Sequence, residues 1–147
     1  MPTLTAAIRV LAGLAILVVS ACDSTGSGAN TTPEPTSPAD LAGTSWTLVS
    51  IGDTPAIEDA GARLSFDSGG NVSGSTGCNS ISGSYALDGS ALTFGPLATT
   101  RMACEDALMA QEAAVLEALS SVSGWGVDAY EMLHLTGDTE LVFVLAS

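Results

Sequence analysis

The sequence predicts an α+β fold: an antiparallel, partly barrel-like β-sheet closed by one amphipathic α-helix. From Leu41 onward, short runs of alternating apolar and polar residues are separated by glycine-containing turns, which is typical of antiparallel strands. Apolar residues follow helical spacing in only one segment, residues 105–122. About 107 of the 147 residues follow the N-terminal segments described below, which is enough for one core but not for two.

The strands are predicted from a two-residue period in which alternate side chains share one face of the sheet. Trp46 and Leu48 share a face in the first run, and Leu64 and Phe66 share one in the second. The predicted strands are residues 44–51, 63–67, 91–94, 132–135 and 140–145. One further strand is predicted from Ile81, Gly83, Tyr85 and Leu87, which share one face. Residues 68–71, Asp88-Gly89 and residues 136–139 supply the turns.

The helix is predicted from an apolar stripe formed by Leu108, Val115, Leu116, Leu119 and Val122. Two acidic residues, Glu105 and Asp106, occupy its first turn, where the helix dipole favours negative charge. We expect Gly124 to end the helix. These acids, together with Glu112 and Glu117, are expected on the polar side with no further role.

Residues 1–21 are predicted to be a lipoprotein signal peptide. Arg9 ends a short polar region, and residues 10–19 form an apolar segment too short to span roughly 30 Å of hydrocarbon. Val19-Ser-Ala-Cys22 then matches the lipobox of bacterial lipoproteins, so the thiol of Cys22 is expected to carry a diacylglycerol. The alternative is an ordinary signal peptide with an incidental cysteine at the cleavage site.

Residues 22–40 are predicted to be a flexible tether rich in serine, threonine, proline and glycine. The segment contains no aliphatic residue larger than alanine, so it lacks the apolar surface needed to offset the entropy of ordering. Two or more acyl chains on Cys22 would give stable membrane attachment. The expected location is the cell membrane, on its extracytoplasmic face, with the folded domain at residues 41–147.

The chain is strongly acidic, with 16 acidic residues, three basic residues and no lysine. Non-specific nucleic-acid binding depends on basic residues, so a nucleic-acid partner is not expected. Anionic lipid headgroups would also repel this surface, and membrane association must therefore be covalent. The alternative explanation of the acidity is a biased genome or a salty environment.

A set of motifs in residues 41–145 resembles the META domain of HslJ-type heat-inducible proteins. The motifs are Gly43-Thr-Ser-Trp46, Phe66, Val72-x-Gly74-x-x-Gly77-Cys78-Asn79, Gly83-x-Tyr85, Thr99-Thr-Arg-Met102-Ala-Cys104, Glu112 and Leu133-x-Leu135. The resemblance implies a small α+β domain outside the cytoplasm, linked to motility, stress and antibiotic tolerance, with no established enzymatic activity. We interpret Trp46, Gly74, Gly77, Asn79, Tyr85 and Met102 as structural motif residues.

The stereochemistry of several of these residues explains why their type suits a structural role. Gly74 and Gly77 permit a positive φ or a close approach of the backbone near a tight loop. Asn79 is suited to hold a loop through side-chain hydrogen bonds to the backbone. Trp46 is large enough to fill the centre of a small core.

Cys78 and Cys104 are the two cysteines left when Cys22 is acylated, and in an oxidising compartment such a pair indicates a disulfide. Closing a loop of about 27 residues would stabilise the fold by roughly 3–4 kcal/mol. The alternative is a reactive thiol, because Cys104 precedes a helix and a helix N-terminus lowers the pKa of a thiol.

No catalytic or metal-binding constellation is evident, and the sequence predicts neither an enzyme nor a cofactor. The only histidine, His134, lies between two leucines on a predicted strand and is expected on the outer face. One histidine, with Cys78 and Cys104 joined in a disulfide, does not supply the three or four side-chain ligands of a zinc site. Asp53, Glu58 and Asp59 lack the calcium-loop spacing. A Ser-His-Asp arrangement stays open because serines are plentiful, although no nucleophile-elbow motif is present.

Two functions are compatible with these features, and an enzyme is a weaker third. The leading hypothesis is a non-enzymatic envelope protein that supports stress or antibiotic tolerance by binding an unknown protein or cell-wall partner. The alternative is a small-molecule carrier that uses a cavity inside the curled sheet. A deep apolar cavity would favour the carrier, whereas a filled core with an exposed patch would favour the binding protein.

Overall fold

Residues 41–147 are the part of the chain described by the structure, which is a computed structural model. The predicted signal peptide, Cys22 and the predicted tether lie outside the described residues. In chain order the elements are β1 Thr44–Ile51, β2 Thr54–Pro55, β3 Arg63–Phe66, β4 Asn71–Ser75, β5 Ser80–Asp88, β6 Ala91–Phe94, β7 Ala98–Thr99, α1 Asp106–Ser121, β8 Gly124–Val127, β9 Met132–Thr136 and β10 Leu141–Leu145. The predicted α+β class is confirmed.

The strands form one antiparallel sheet that closes on itself as a ring. The order is β10-β9-β8-β6-β5-β4-β3-β1, and β10 then pairs with β1 from Trp46↔Leu145 to Ile51↔Leu141. The short strands β2 and β7 add to β1 and β5. The ring is uneven, because β6 and β8 share a single residue pair, Ala91↔Gly124.

The alternation of side chains along each strand determines which of them point into the ring. In β1, Trp46 and Leu48 are buried while Thr47 and Val49 face outward. The same period buries Leu64 and Phe66 on β3, which confirms the predicted faces. Buried hydrophobic side chains from the strands and from α1 form one core cluster. The inside of the ring is therefore occupied by side chains.

Four strands were not predicted from periodicity: β2, β4, β7 and β8. Two of them, β2 and β7, have only two residues each. Two of the four residues of β8 are glycines, which favour strands poorly. The prediction that Gly124 ends the helix is wrong: α1 ends at Ser121, the N–H of Val122 bonds back to the carbonyl of Leu119, and Gly124 begins β8.

The helix α1 connects β7 to β8 and contacts β1 and β10. Its apolar stripe buries Val115 and Leu119, as the spacing predicted, and Ala118 is buried beside them. Two polar side chains on the same stripe, Gln111 and Glu112, are buried as well. Within residues 41–147, no helix has both the length and the apolar character needed to cross a bilayer.

Candidate functional site

A buried polar cluster lies where the loop after β4 meets the first turns of α1. It is formed by Thr76 and Asn79 from the loop and by Gln111 and Glu112 from the helix, and these four are the buried polar residues of the described chain. Buried polar groups are costly unless each is hydrogen-bonded. All four of these side chains are hydrogen-bonded.

Glu112 is the acceptor at the centre of the cluster. Its Oε2 atom accepts a hydrogen bond from the hydroxyl of Thr76 at 2.9 Å and one from the side-chain amide of Asn79 at 2.8 Å. Gln111 donates to the carbonyl of Thr76 at 3.0 Å and accepts from the N–H of Ile57 at 2.7 Å. The prediction that Glu112 lies on the polar side of the helix is therefore wrong.

Asn79 connects this loop to a second loop, residues 100–104. Its Oδ1 atom accepts from the N–H of Met102 at 2.7 Å and from the hydroxyl of Thr100 at 2.9 Å. Its Nδ2 atom donates to the carbonyl of Met102 at 3.2 Å. The side chain of Asn79 thus forms hydrogen bonds to the backbone, as expected, but with a second loop and not with its own. Met102 takes part through its backbone, while its side chain is 59% exposed.

The disulfide predicted between Cys78 and Cys104 is present, and it joins the same two loops at the surface. The two Cα atoms are 6.0 Å apart, within the range of ordinary disulfides. Because the thiols are joined, the alternative of a free reactive thiol does not apply to this state of the protein.

Both motif glycines have the roles expected of them. A Cβ atom at Gly74 would lie 2.0 Å from the carbonyl oxygen of Arg63, so only glycine fits between β3 and β4. Gly77 has a φ of 105°, and a Cβ there would press on Gln111 and Ala60. These glycines let the backbone approach close enough for the polar cluster to form.

The two aromatic motif residues lie in the core and at its edge. Trp46 is 4% exposed, and its indole N–H donates to the hydroxyl of Thr44. Tyr85 packs edge-on against Phe66, with ring centroids 5.0 Å apart. Its hydroxyl donates to the carbonyl of Asp67 at 2.6 Å. Partial burial, with the nearby Asp67 charge, raises the pKa of Tyr85. Both residues have structural roles.

His134 faces outward, as predicted, but it lies between two carboxylates. Its Nε2 atom is 3.1 Å from Asp128 and its Nδ1 atom is 3.1 Å from Glu140. Burial lowers the pKa of His134, but the hydrogen bonds and charges of the two carboxylates outweigh burial, and the net pKa is raised. The pKa of Asp128 is lowered, chiefly by a hydrogen bond from the N–H of Met132. Both ring nitrogens therefore lie within hydrogen-bonding distance of a carboxylate.

An open groove of about 960 Å³ lies beside β1 and the loop that follows β2. Val49 and Ile57 present exposed apolar surface there, 37% and 39% respectively. Glu58 and Asp59 contribute the acidic side chains of its lining, which includes no basic residue. We call this surface the β1–β2 groove. The spacing of Glu58 and Asp59 in the sequence does not indicate this groove.

Among residues 41–147, no group of three or more histidine, cysteine, aspartate and glutamate side chains is arranged to hold a metal ion. Asp53, Glu58 and Asp59 thus form no such group.

One sequence signal could have identified the buried cluster. Leu108, Glu112, Val115 and Leu119 are spaced by four, three and four residues, the spacing of one helix face. Glu112 therefore lies within the apolar stripe, and a carboxylate at such a position requires buried donors. Which donors it meets depends on the loop after β4, more than 30 residues away in the chain.

The described residues thus form a small α+β domain, with a ring-shaped antiparallel sheet, one helix and a disulfide that joins two loops beside a buried carboxylate. The model of the META domain family matches residues 39–147. The chain belongs to the META domain family. No curated protein matches it.

Solved structures share the fold. An NMR structure of a protein from Burkholderia xenovorans is 34% identical, with a TM-score of 0.62, and the match covers 88% of this chain and 99% of that one. A second NMR structure is 30% identical, with a TM-score of 0.61, covering 75% and 95% of the two chains. A crystal structure of a DUF4847 family protein from Bacteroides vulgatus, 17% identical with a TM-score of 0.54 and covering 71% and 93%, is similar in fold alone.

Proposed function

We propose that this chain is a membrane-anchored lipoprotein whose META domain is a non-enzymatic binding module of the cell envelope, supporting stress or antibiotic tolerance. The lipobox at Cys22 and the tether composition of residues 22–40 support the anchor. Membership in the META family supports the placement of the folded domain at the end of that tether.

The observation that carries the binding role is the β1–β2 groove. Exposed apolar surface beside polar rims is typical of protein interaction sites. Three of the 16 acidic residues and one of the three basic residues precede Leu41, which leaves 13 acids and two arginines in the domain. Glu58 and Asp59 place two of these charges in the groove. The partner that fits is a segment with apolar side chains flanked by basic ones.

A non-enzymatic role is supported by the state of the residues best suited to catalysis. Both nitrogens of His134 are held by carboxylates, and Cys78 and Cys104 are joined. An enzyme needs a nucleophile or a general base that is free to act. The carrier alternative has less support, since buried side chains fill the interior of the ring.

The anchor is tested by Cys22→Ala. The variant loses the acylated thiol, so we expect unprocessed precursor or protein released to the medium, measured by fractionation and mass spectrometry of the processed chain. Cys78→Ser is the control for loss of a cysteine as such, and it should remain membrane-bound. A Cys22→Ala protein that stays in the membrane fraction at its original mass would refute the anchor.

The binding surface is tested by site-specific photocrosslinking in living cells. A photoreactive residue at Ile57 should capture a defined partner, whereas the same residue at Asp88, the last residue of β5 and outside the groove, should not. Ile57→Asp should reduce tolerance to envelope stress at an unchanged protein level. Equal capture from both positions would contradict a partner site in the groove.

A further inference from the structure

Three sulfur atoms lie together at the surface beside the buried cluster. The Sγ atom of Cys78 is bonded to that of Cys104 and lies 3.8 Å from the Sδ atom of Met109. The cysteines are half-buried, while Met109 on the first turns of α1 is 38% exposed. The three residues therefore lie near the surface of the domain and outside its apolar core.

We propose that Cys78, Cys104 and Met109, once the disulfide is reduced, form a binding site for the soft monovalent ion Cu(I). Thiolate and thioether sulfurs are the ligands that favour Cu(I) over harder ions. Because the donor set includes a methionine, it is a different kind of site from those built of histidine, cysteine and carboxylates. The site goes beyond the binding role proposed above and requires neither the anchor nor the groove.

The spacing of the sulfur atoms suits a three-coordinate ion. With metal–sulfur bonds of roughly 2.3 Å, ligands in a trigonal plane lie roughly 4 Å from one another. The Cys78–Met109 sulfur separation of 3.8 Å already agrees with this value. The two cysteine sulfurs must move apart once the bond between them is broken, and a Cα–Cα distance of 6.0 Å allows this through side-chain rotation.

Contacts other than the disulfide hold the two loops in place. Asn79 bonds to both the N–H and the carbonyl of Met102. Ser80 and Thr100 exchange two further hydrogen bonds at 3.0 Å. Glu112 ties the first loop to α1, the helix that carries Met109. Breaking the disulfide therefore leaves the three sulfur atoms near one another, and less entropy is lost when the ion binds.

Opening the site requires reduction of the disulfide by a reductant of the dithiol class. The reductant supplies two electrons and two protons, the Cys78–Cys104 bond breaks, two thiols form, and the reductant becomes a disulfide. Cu(I) then displaces the two thiol protons and accepts a lone pair from the thioether of Met109. Copper keeps its oxidation state throughout. Exchange with a disulfide oxidant, which is itself reduced to two thiols, re-forms the Cys78–Cys104 bond and removes two of the three ligands. The site is therefore open only in the reduced protein.

The test uses the full chain with Cys22→Ala, in which Cys78 and Cys104 are the only cysteines. The protein is reduced anaerobically, freed of reductant and titrated with Cu(I) against the chromogenic chelator bicinchoninate. We expect one tightly bound Cu(I) per chain in the reduced protein and none in the oxidised protein, with three sulfur neighbours seen by X-ray absorption. Equal binding by both forms would overturn the proposal.

The methionine separates this site from a simple pair of thiols. Met109→Leu keeps the size of the side chain but removes the sulfur ligand, and it should weaken Cu(I) binding by about tenfold or more, equivalent to 1.4 kcal/mol. Met132→Leu, on β9, is the matched control and should leave the affinity unchanged. A Met109→Leu protein that binds Cu(I) as tightly as its parent would exclude the thioether as a ligand and refute the site.

Discussion

At the scale of single residues, the side chain that links the helix to the loop after β4 is the buried carboxylate of Glu112, whose hydrogen-bond donors are all neutral. Glu112 accepts hydrogen bonds from Thr76 and Asn79, and no arginine is among its hydrogen-bonding partners. The amide of Asn79 divides its hydrogen bonds between this carboxylate and the backbone of Met102. One side chain thus couples the helix to both loops that carry the cysteines.

We expect Glu112→Ala to lower the free energy of unfolding by about 2–3 kcal/mol, because buried donors on Thr76 and Asn79 lose their acceptor. Glu112→Gln should cost less, since its carbonyl oxygen still accepts. Glu117→Ala removes an exposed acid from the same helix and should change stability by less than about 0.5 kcal/mol. Urea denaturation of the three variants measures these differences. Equal effects at positions 112 and 117 would contradict a structural role for the buried carboxylate.

His134 should make stability depend on pH. Its folded pKa is raised above 6.5, so its ion pairs with Asp128 and Glu140 stabilise the fold fully below the unfolded pKa. This contribution is lost as the pH rises through the folded pKa. Wild type should therefore be more stable than His134→Gln near pH 6, and the difference should vanish by about pH 9. Denaturation at both pH values tests this, and an NMR titration of His134 with a pKa below 6.5 would contradict it.

At the scale of elements, the loop after β4 reaches the helix because the strands before it pack unusually closely. Gly74 on β4 lies against the carbonyl of Arg63 on β3, and a side chain there would collide with backbone. Two residues later, Thr76 enters the polar cluster. The position of the loop, and so of Cys78, depends on this close approach.

Gly74→Ala should therefore destabilise the domain by about 2–3 kcal/mol, because the backbone of β3 must move to admit a methyl group. Gly126 on β8 is the matched control, since an added Cβ there meets nothing within 4 Å. Gly126→Ala should leave stability unchanged or raise it slightly, because glycine weakens a strand. Thermal denaturation compares the two variants. A Gly74→Ala protein as stable as Gly126→Ala would show that β3 and β4 separate freely.

At the scale of the whole molecule, the sheet closes through its first and last strands. β1 pairs with β10 along most of its length, which brings the two ends of the described chain together. The disulfide adds a second long-range link, across 26 residues, beside the helix. The disulfide connects the loop after β4 to the loop that precedes α1, the element that joins β7 to β8 in the chain.

Cys78→Ser and Cys104→Ser should each lower the free energy of unfolding by about 3–4 kcal/mol, since each removes the same loop closure. The double variant should cost no more than either single one, because the two residues act as one unit. Alkylation of the denatured, non-reduced protein should leave two thiols blocked that react after reduction. Additive losses in the double variant would contradict a shared bond.

Several features of this protein were determined by local sequence. The two-residue period placed β1 at Thr44–Ile51 and the buried faces of β3 and β5, because alternation is a property of a single strand. The apolar stripe located α1 to within one residue at each end. The disulfide followed from cysteine number, and the META family followed from short motifs matched at residues 39–147.

Tertiary structure alone decided the rest. Burial of Glu112 depends on which loop packs over its helix, and the engagement of His134 depends on turns that bring Asp128 and Glu140 to opposite ring nitrogens. Closure between β1 and β10 joins segments about 95 residues apart, which no local period encodes. The meeting of Met109 with Cys78 has the same origin. The period of apolar residues reflects the geometry of one helix or strand, whereas these sites are formed by contacts between elements that are distant in the chain.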